Sequence, residues 1–78
     1  MNVSQCKMAR AALGWGIRDL AKYSGVAVST ISRYEAGENI NLRSYEALMN
    51  AIDVAGIQFI PENGGGAGVR FKDRDQGL

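Results

Sequence analysis

Side chains capable of covalent or metal chemistry are scarce in this sequence. It contains one cysteine, Cys6, and no histidine. A nucleophilic cysteine needs a neighbouring base such as histidine. A zinc site built from cysteine and histidine needs several such ligands, so zinc could be bound here only by Cys6 with carboxylates, which is a weak possibility. No acid–base pair stands out. We therefore expect no enzyme, metal or cofactor site, and we assign Cys6 to the core, where it continues an apolar stripe with Ala9 and Leu13.

A different chemistry is open to the segment from Val28 to Arg33. In a helix, Ile31 and Tyr34 would face the core and leave another face free. An arginine on that face can donate two hydrogen bonds to guanine, a serine can reach a base or a phosphate, and a valine can meet a thymine methyl group. The side chains of the free face, and our candidates for base readout, are Val28, Ser29, Ser32 and Arg33.

Some of these assignments have alternatives. Arg33 could contact a phosphate or pair with Glu38, since many protein–DNA contacts go to the backbone. Val28 could be partly buried against the preceding helix. Thr30 fits a phosphate contact better than base readout.

The elements that must position this face are two short helices, at residues 17–23 and 28–36, and a tight turn between them. Gly25 supplies the positive φ that such a turn needs. Val26 would fill the core behind the turn, and Ala21 is small enough to let the helices cross closely. A short helix, a glycine turn and a second short helix are typical of a helix-turn-helix.

The remaining sequence completes a mainly α domain. Apolar spacing predicts further helices at residues 3–13 and 42–55, which makes four. Residues 57–72 are β-prone on both sides of a proline- and glycine-rich turn, which predicts a β-hairpin. We therefore expect a compact helical domain over residues 1–56, a hairpin extension over 57–72 and a flexible tail over 73–78.

Charge is distributed unevenly along the 78 residues, whose net charge is +1. Residues 1–43 carry six basic and three acidic side chains, whereas residues 44–78 carry three basic and five acidic ones. The asymmetry fits an anionic partner on one face, although small domains often show it by chance. No segment is apolar enough to cross a membrane or resembles a signal peptide, and the single cysteine fits a reducing compartment, so we expect a cytoplasmic protein.

The segment from Gln5 to Ile52, 48 of the 78 residues, resembles the DNA-binding domain of the lambda-repressor-like, or Cro/C1-type, regulators of bacteria and phages. The resemblance is carried by Arg10, Leu13, Gly14, Leu20, Ala21, Gly25, Val26, Ser29, Thr30, Ile31, Ser32, Arg33, Glu35, Gly37, Leu48 and Ile52. It implies a transcriptional regulator, most simply a repressor, that binds double-stranded DNA sequence-specifically. The expected form is a homodimer on a pseudo-palindromic operator with half-sites about one helical turn apart.

The resemblance also implies roles for individual polar residues. Arg10 in the first helix would pair with Glu35 late in the third, tying the two helices together and placing Arg10 near the DNA backbone. Two unrelated surface charges are the alternative. Arg43 would reach the backbone or the minor groove. For several of the residues predicted to contact the DNA backbone, a solvated side chain is the alternative. The full predicted set is Arg10, Arg18, Lys22, Thr30, Asn39, Asn41 and Arg43.

The sequence departs from the family at several points. Ile17 stands where a glutamine usually contacts phosphate, although the backbone N–H groups of that helix start are expected to remain available. Ala27 cannot cap the third helix, at a cost of about 1 kcal/mol. The readout face lacks the glutamines common in phage repressors, and the fifth helix, often the dimer contact, is replaced by the hairpin.

The hairpin is our candidate for the dimer contact. A two-stranded hairpin is marginal alone in water, and its free edge invites pairing with another strand. Ile57 and Phe59 can lie on the helical core, with Val69 and Phe71 beside them. We propose that the hairpins of two copies pair or pack across a two-fold axis, and the candidate residues are Ile57, Phe59, Val69 and Phe71. In the alternative, the hairpin only covers its own core. A second functional possibility is an antitoxin-like interaction module whose hairpin binds a partner protein.

Overall fold

The computed structural model describes residues 1–73, so residues 74–78 of the predicted tail lie outside the described part. Within residues 1–73 the chain forms four α-helices followed by a two-stranded antiparallel sheet. The elements are α1 (Val3–Leu13), α2 (Ile17–Ser24), α3 (Val28–Glu35), α4 (Leu42–Val54), β1 (Ile57–Ile60) and β2 (Gly68–Phe71). The predicted mainly α fold with a hairpin is confirmed, and each helix ends within one residue of its predicted end.

Short polar contacts fix the starts of two helices. Asn2 Oδ1 accepts a hydrogen bond from the Gln5 N–H, and Gln5 Oε1 accepts one from the Asn2 N–H, each at 2.8 Å. This reciprocal pair is a capping box at the start of α1. Asn41 Oδ1 accepts from the Ser44 N–H at the start of α4. Ala27 precedes α3 without a side-chain cap, so α3 depends on packing for its start.

The hydrophobic core lies between the helices and the start of the hairpin. α2 packs against both α3 and α4, and α1 packs against α3 and β2. The buried hydrophobic side chains are Cys6, Ala9, Leu20, Val26, Ile31, Tyr34, Leu48, Ala51, Ile52 and Ile57. In the part of the chain that the structure describes, no helix is both long enough and apolar enough to cross a membrane.

The hairpin turns one face toward the helices. Its register pairs Ile57 with Phe71 and Phe59 with Val69, and paired residues lie on the same face of a sheet. Ile57 is fully buried, Phe59 and Val69 pack against the core, and Phe71 is 48% exposed. Ile57 and Phe59 therefore lie on the helical core, as expected, and the dimer contact at the hairpin stays a prediction. Among the four candidates, Phe71 exposes the largest fraction of its surface.

Candidate nucleic-acid interface

The turn between α2 and α3 has the geometry expected of a helix-turn-helix. Gly25 adopts φ +76°, and its N–H donates to the Ala21 carbonyl at 2.9 Å. A Cβ at Gly25 would meet no atom within 4 Å, so glycine is required here for its backbone conformation and not for space. Val26 is buried behind the turn, and Ala21 is partly buried against the same core.

α3 separates a buried face from an exposed one. Ile31 is fully buried, and Tyr34 and Glu35 are buried beside it. The four residues predicted to read bases are all exposed, and they are Val28, Ser29, Ser32 and Arg33. Val28 is 43% exposed, which leaves part of its side chain accessible and is also compatible with partial burial against α2. α3 therefore presents a methyl-bearing side chain, two hydroxyls and a guanidinium on one free surface.

Arg33 bonds within its own helix. Its Nη2 donates to Thr30 Oγ1 at 3.3 Å on the exposed surface. No ion pair between Arg33 and Glu38 is present in residues 1–73. A single long hydrogen bond in contact with water is easily exchanged for another acceptor. The guanidinium is thus free to bind an acceptor on a ligand, and Thr30 is partly exposed beside it.

A buried polar cluster joins α1 to α3. Arg10 Nε and Nη2 donate to the two carboxylate oxygens of Glu35 at 2.8 and 2.7 Å, and Arg10 Nη1 donates to the Trp15 carbonyl at 3.2 Å. Cys6 Sγ donates to Glu35 Oε2 at 3.3 Å. The side chains of Arg10 and Glu35 are only 20% and 7% exposed. The predicted pairing is therefore present, and Arg10 also fixes the turn that leads into α2.

The cluster controls the charge of its members. Burial alone would raise the pKa of Glu35, but the hydrogen bonds from Arg10 and Cys6, together with the positive charges of Arg10 and Lys7, hold that pKa below its ordinary value. The hydrogen bond to Glu35 raises the pKa of Arg10. Burial, followed by the hydrogen bond to Glu35, raises the pKa of the Cys6 thiol to about 12. The cluster is thus a charged pair with a neutral thiol, which makes Cys6 a poor nucleophile.

The exposed face of α2 carries Arg18 and Lys22, both predicted to contact the DNA backbone. Lys22 Nζ lies 5.6 Å from the centre of the Tyr23 ring. At the helix start, Asp19 Oδ2 accepts a hydrogen bond from the Gly16 N–H at 2.8 Å. Asp19 thus engages the Gly16 N–H and adds a negative charge at this helix start. The availability of the following N–H groups to a phosphate stays a prediction. The three-residue spacing from Gly16 to an acidic side chain is the sequence signal for this cap.

The remaining backbone candidates lie between α3 and the first turn of α4. Asn39, Asn41 and Arg43 are all exposed, although Asn41 Oδ1 is occupied by the cap of α4. Two tyrosines brace this region: Tyr45 Oη donates to the Met1 carbonyl at 2.6 Å, and Tyr34 Oη donates to it at 3.3 Å. The start of the chain thus holds α3 and α4 together, a contact that no local pattern in the sequence indicates.

A shallow apolar groove of about 390 Å³ lies between α2 and the end of α4. Trp15 and Tyr23 form one wall and are stacked, with ring centres 4.7 Å apart. Val54 on the other wall is 76% exposed. The residues that line this groove include none of α3, so the groove is distinct from the face with the predicted base-readout residues.

Two short helices around a left-handed glycine, with a free polar face on the second helix, define a helix-turn-helix DNA-binding domain. A helix-turn-helix family model matches residues 7–57. The match covers more than half of the chain, so this protein belongs to the Cro/C1-type helix-turn-helix family of DNA-binding transcription regulators. The family is one of DNA-binding regulators and not of enzymes. Comparison with curated proteins gave no match.

Proposed function

We propose that this protein is a transcriptional repressor that binds as a homodimer to a pseudo-palindromic operator. The observation that carries the proposal is the division of α3 into a face buried through Ile31 and Tyr34 and an exposed face that ends in Arg33. A helix of this width fits the major groove, where each base pair presents a distinct pattern of donors and acceptors. With DNA binding as its activity, the simplest means of regulation is to occupy the operator and exclude other proteins.

Base readout is assigned to the exposed face of α3. Arg33 would exchange its hydrogen bond to Thr30 for two hydrogen bonds to one guanine, on O6 and N7. Ser29 and Ser32 would donate to or accept from neighbouring bases or phosphates, and Val28 would contact a thymine methyl group. One arginine per half-site predicts that one guanine dominates each half of the operator.

Backbone contacts are assigned to residues on both sides of α3. Their charged and amide groups would bind phosphates and set the register of the domain without reading sequence. The residues in this role are Arg18, Lys22, Thr30, Asn39, Asn41 and Arg43. Arg10 has three of its five N–H groups engaged within the protein. We therefore assign its main effect to holding α1 against α3, with the remaining N–H groups facing a nearby phosphate.

The homodimer is assigned to the hairpin. One small helix-turn-helix unit reads only a few base pairs, so two copies are needed for a specific site. A free strand edge can pair with the same edge of another copy across a two-fold axis. Phe71 supports this assignment, because a large aromatic side chain is 48% exposed next to the hairpin edge.

Selection of bound duplexes from a random DNA pool tests the proposal directly. We expect enrichment of an inverted repeat whose half-sites are centred about 10 base pairs apart, with a guanine at the same place in each half. Sedimentation of the complex should give two chains per duplex. Enrichment of a single asymmetric half-site bound by one chain would contradict the homodimer, and no enrichment at all would contradict sequence-specific binding.

An antitoxin-like role is the second candidate. Phe71 and the groove that contains Val54 leave large apolar side chains exposed, and such surfaces often mark protein contacts. A stoichiometric partner protein that binds wild-type protein but not a Phe71→Ser variant would favour this candidate.

A further inference from the structure

Gln5 is a buried polar residue whose contacts reach beyond its own helix. Its side chain is only 5% exposed. Nε2 donates to the Ile60 carbonyl and to the Gly68 carbonyl, both at 3.0 Å. Oε1 accepts from the Asn2 N–H at 2.8 Å. Both hydrogens of the carboxamide and one acceptor site are therefore satisfied inside the protein.

Capping of α1 accounts for only one of these contacts. A capping box needs an oxygen at this position, and glutamate supplies it as well as glutamine does. The two donated hydrogen bonds serve a different element. Ile60 is the last residue of β1, Gly68 is the first residue of β2, and the two are paired in the register of the hairpin. The carboxamide thus lies across the point at which the strands separate into the 61–67 loop.

Phe59 and Val69 pack the middle of the hairpin against the core, and its other polar attachments in residues 1–73 lie at the opposite end. There Ile57 is buried in the core, the Lys72 N–H donates to the Gly56 carbonyl at 2.9 Å, and the Lys72 ammonium lies 2.6 Å from Asp53. That ion pair is exposed and contributes little. Strands of four residues are marginal without further support. Within the described residues, the hydrogen bonds between α1 and the loop end of the hairpin come from Gln5.

We propose that Gln5 is a positioning residue for the dimer contact: it clamps both strands to α1 and so holds the hairpin edge in the orientation in which a second copy pairs with it. This role depends on the homodimer proposed above. A strand edge that is already ordered loses less conformational freedom on association than a loose one, and therefore binds more tightly. The side-chain hydrogen bonds that join α1 to α3 run from Arg10 and Cys6 to Glu35 and do not include Gln5.

The substitution Gln5→Glu separates clamping from capping. The variant keeps an oxygen for the Asn2 N–H and nearly the same volume, but an ionised carboxylate faces the two carbonyl oxygens and repels them. Burial raises the pKa of a carboxyl group. The protonated form, favoured at low pH, can donate to one carbonyl, so the clamp is partly restored on acidification. The matched control is Gln58→Glu, because Gln58 is exposed in the same hairpin and its Oε1 accepts a hydrogen bond from the exposed Arg70 Nε at 3.0 Å.

The experiment measures the dimer dissociation constant by sedimentation, together with affinity for the selected operator and for a single half-site. For Gln5→Glu at about pH 8 we expect roughly tenfold or greater weakening of the dimer and of operator binding, because buried carbonyls lose their donor. Half-site affinity should stay within about twofold, and the dimer should strengthen again toward about pH 5. Gln58→Glu should match wild type throughout. Met1 and Glu62 line the same depression as Gln5. Wild type is therefore measured over the same pH range, so that an effect of their charges can be subtracted.

Other results would overturn the proposal. Equal losses of operator and half-site affinity, with a lower thermal midpoint and no recovery at low pH, would make Gln5 a structural residue only. If Gln5→Glu does not fold, Gln5→Met is measured instead, since methionine keeps the size of the side chain and removes its hydrogen-bond donors. A Gln5→Met protein that dimerises as well as wild type overturns the role of Gln5. A monomeric wild-type chain on the operator overturns the homodimer as well, whereas a dimeric wild type with an equally dimeric variant overturns only the role of Gln5.

Discussion

At the level of single residues, the cations of this domain fall into two groups. Arg10 is mostly buried against Glu35, whereas Arg18 and Arg33 are exposed on α2 and α3. A buried charge acts mainly on stability, because its partner would be left unpaired without it. An exposed charge acts mainly on binding. Substitutions in the two groups should therefore have effects that can be measured separately.

Arg33→Ala should weaken binding to the selected operator by about 1–3 kcal/mol and relax the preference for one guanine per half-site. The matched variant is Arg18→Ala, an exposed arginine on the preceding helix. It should weaken all DNA sequences alike and reduce the dependence of the binding constant on salt, because a phosphate contact releases counterions. Fluorescence anisotropy titrations at several salt concentrations measure both effects. Unchanged affinity and preference in Arg33→Ala would place α3 outside the major groove.

Glu35→Ala should lower the free energy of unfolding by about 3 kcal/mol, at the low end for a broken buried pair because Arg10 keeps some contact with water. Cys6 would also lose its acceptor. Glu38→Ala is the control, since Glu38 is exposed and outside the cluster, and a surface substitution should change stability by about 0.5 kcal/mol or less. Urea unfolding of both variants makes the comparison, and equal midpoints would show that the pair does not stabilise the fold.

The contribution of Glu35 should depend on pH. Its pKa is lowered in the folded protein, and a glutamate in the unfolded chain has a pKa of about 4.3. The unfolded state therefore binds the proton more readily, so this stabilisation is complete above the unfolded pKa and is lost as pH falls through the folded one. The difference in unfolding free energy between wild type and Glu35→Gln should be constant near neutral pH and shrink below about pH 4. A difference that grew on acidification would contradict the lowered pKa.

At the level of elements, the helix-turn-helix depends on one left-handed backbone position. Gly25→Ala should destabilise the domain by about 1–2 kcal/mol, because an L-residue is strained at positive φ. Gly65→Ala is the control: Gly65 has no positive φ, and an added Cβ would come no closer than 3.9 Å to Asn63. Thermal unfolding compares the two variants. The same loss in both would mean that the conformation of the turn is not what Gly25 provides.

A second pair of substitutions compares the effect on dimerisation of two exposed apolar residues, one in the hairpin and one in α4. Phe71→Ser should weaken the proposed dimer by roughly tenfold, since it removes a large aromatic side chain from the contact. Leu42→Ser removes a side chain that is 68% exposed at the start of α4 and should leave the dimer unchanged. Sedimentation of both variants without DNA provides the test. A Phe71→Ser protein as dimeric as wild type would place the contact on the helices.

At the level of the whole molecule, the hairpin belongs to the same core as the helices. Ile57 is fully buried, and Gln5 joins α1 to both strands. Truncation after Gly56 would remove Ile57 together with the hairpin, and a domain of this size has little stability to spare. A point substitution at Phe71 therefore tests the dimer more cleanly than truncation does.

The elements could be predicted from the sequence because their signals are local. Apolar spacing, glycines at positive φ such as Gly14 and Gly25, and the polar caps lie within a few residues of the ends that they determine. The pairing of Arg10 with Glu35 followed from the family resemblance. The contacts of Gln5 with Ile60 and Gly68 were not predicted, because residues 55 and 63 positions apart meet only when the hairpin has folded against α1.

The stacking of Trp15 on Tyr23 has an optical consequence. Trp15 is the single tryptophan of the sequence, and its ring lies 4.7 Å from that of Tyr23 at the side of α2. The Trp15 carbonyl also accepts a hydrogen bond from Arg10, which pairs with Glu35 of α3. The indole therefore belongs to the turn between α1 and α2, next to the contact between α1 and α3. Fluorescence excited in the indole band therefore reports on this segment alone. The native protein carries an intrinsic probe of its helix-turn-helix, with no dye and no added residue.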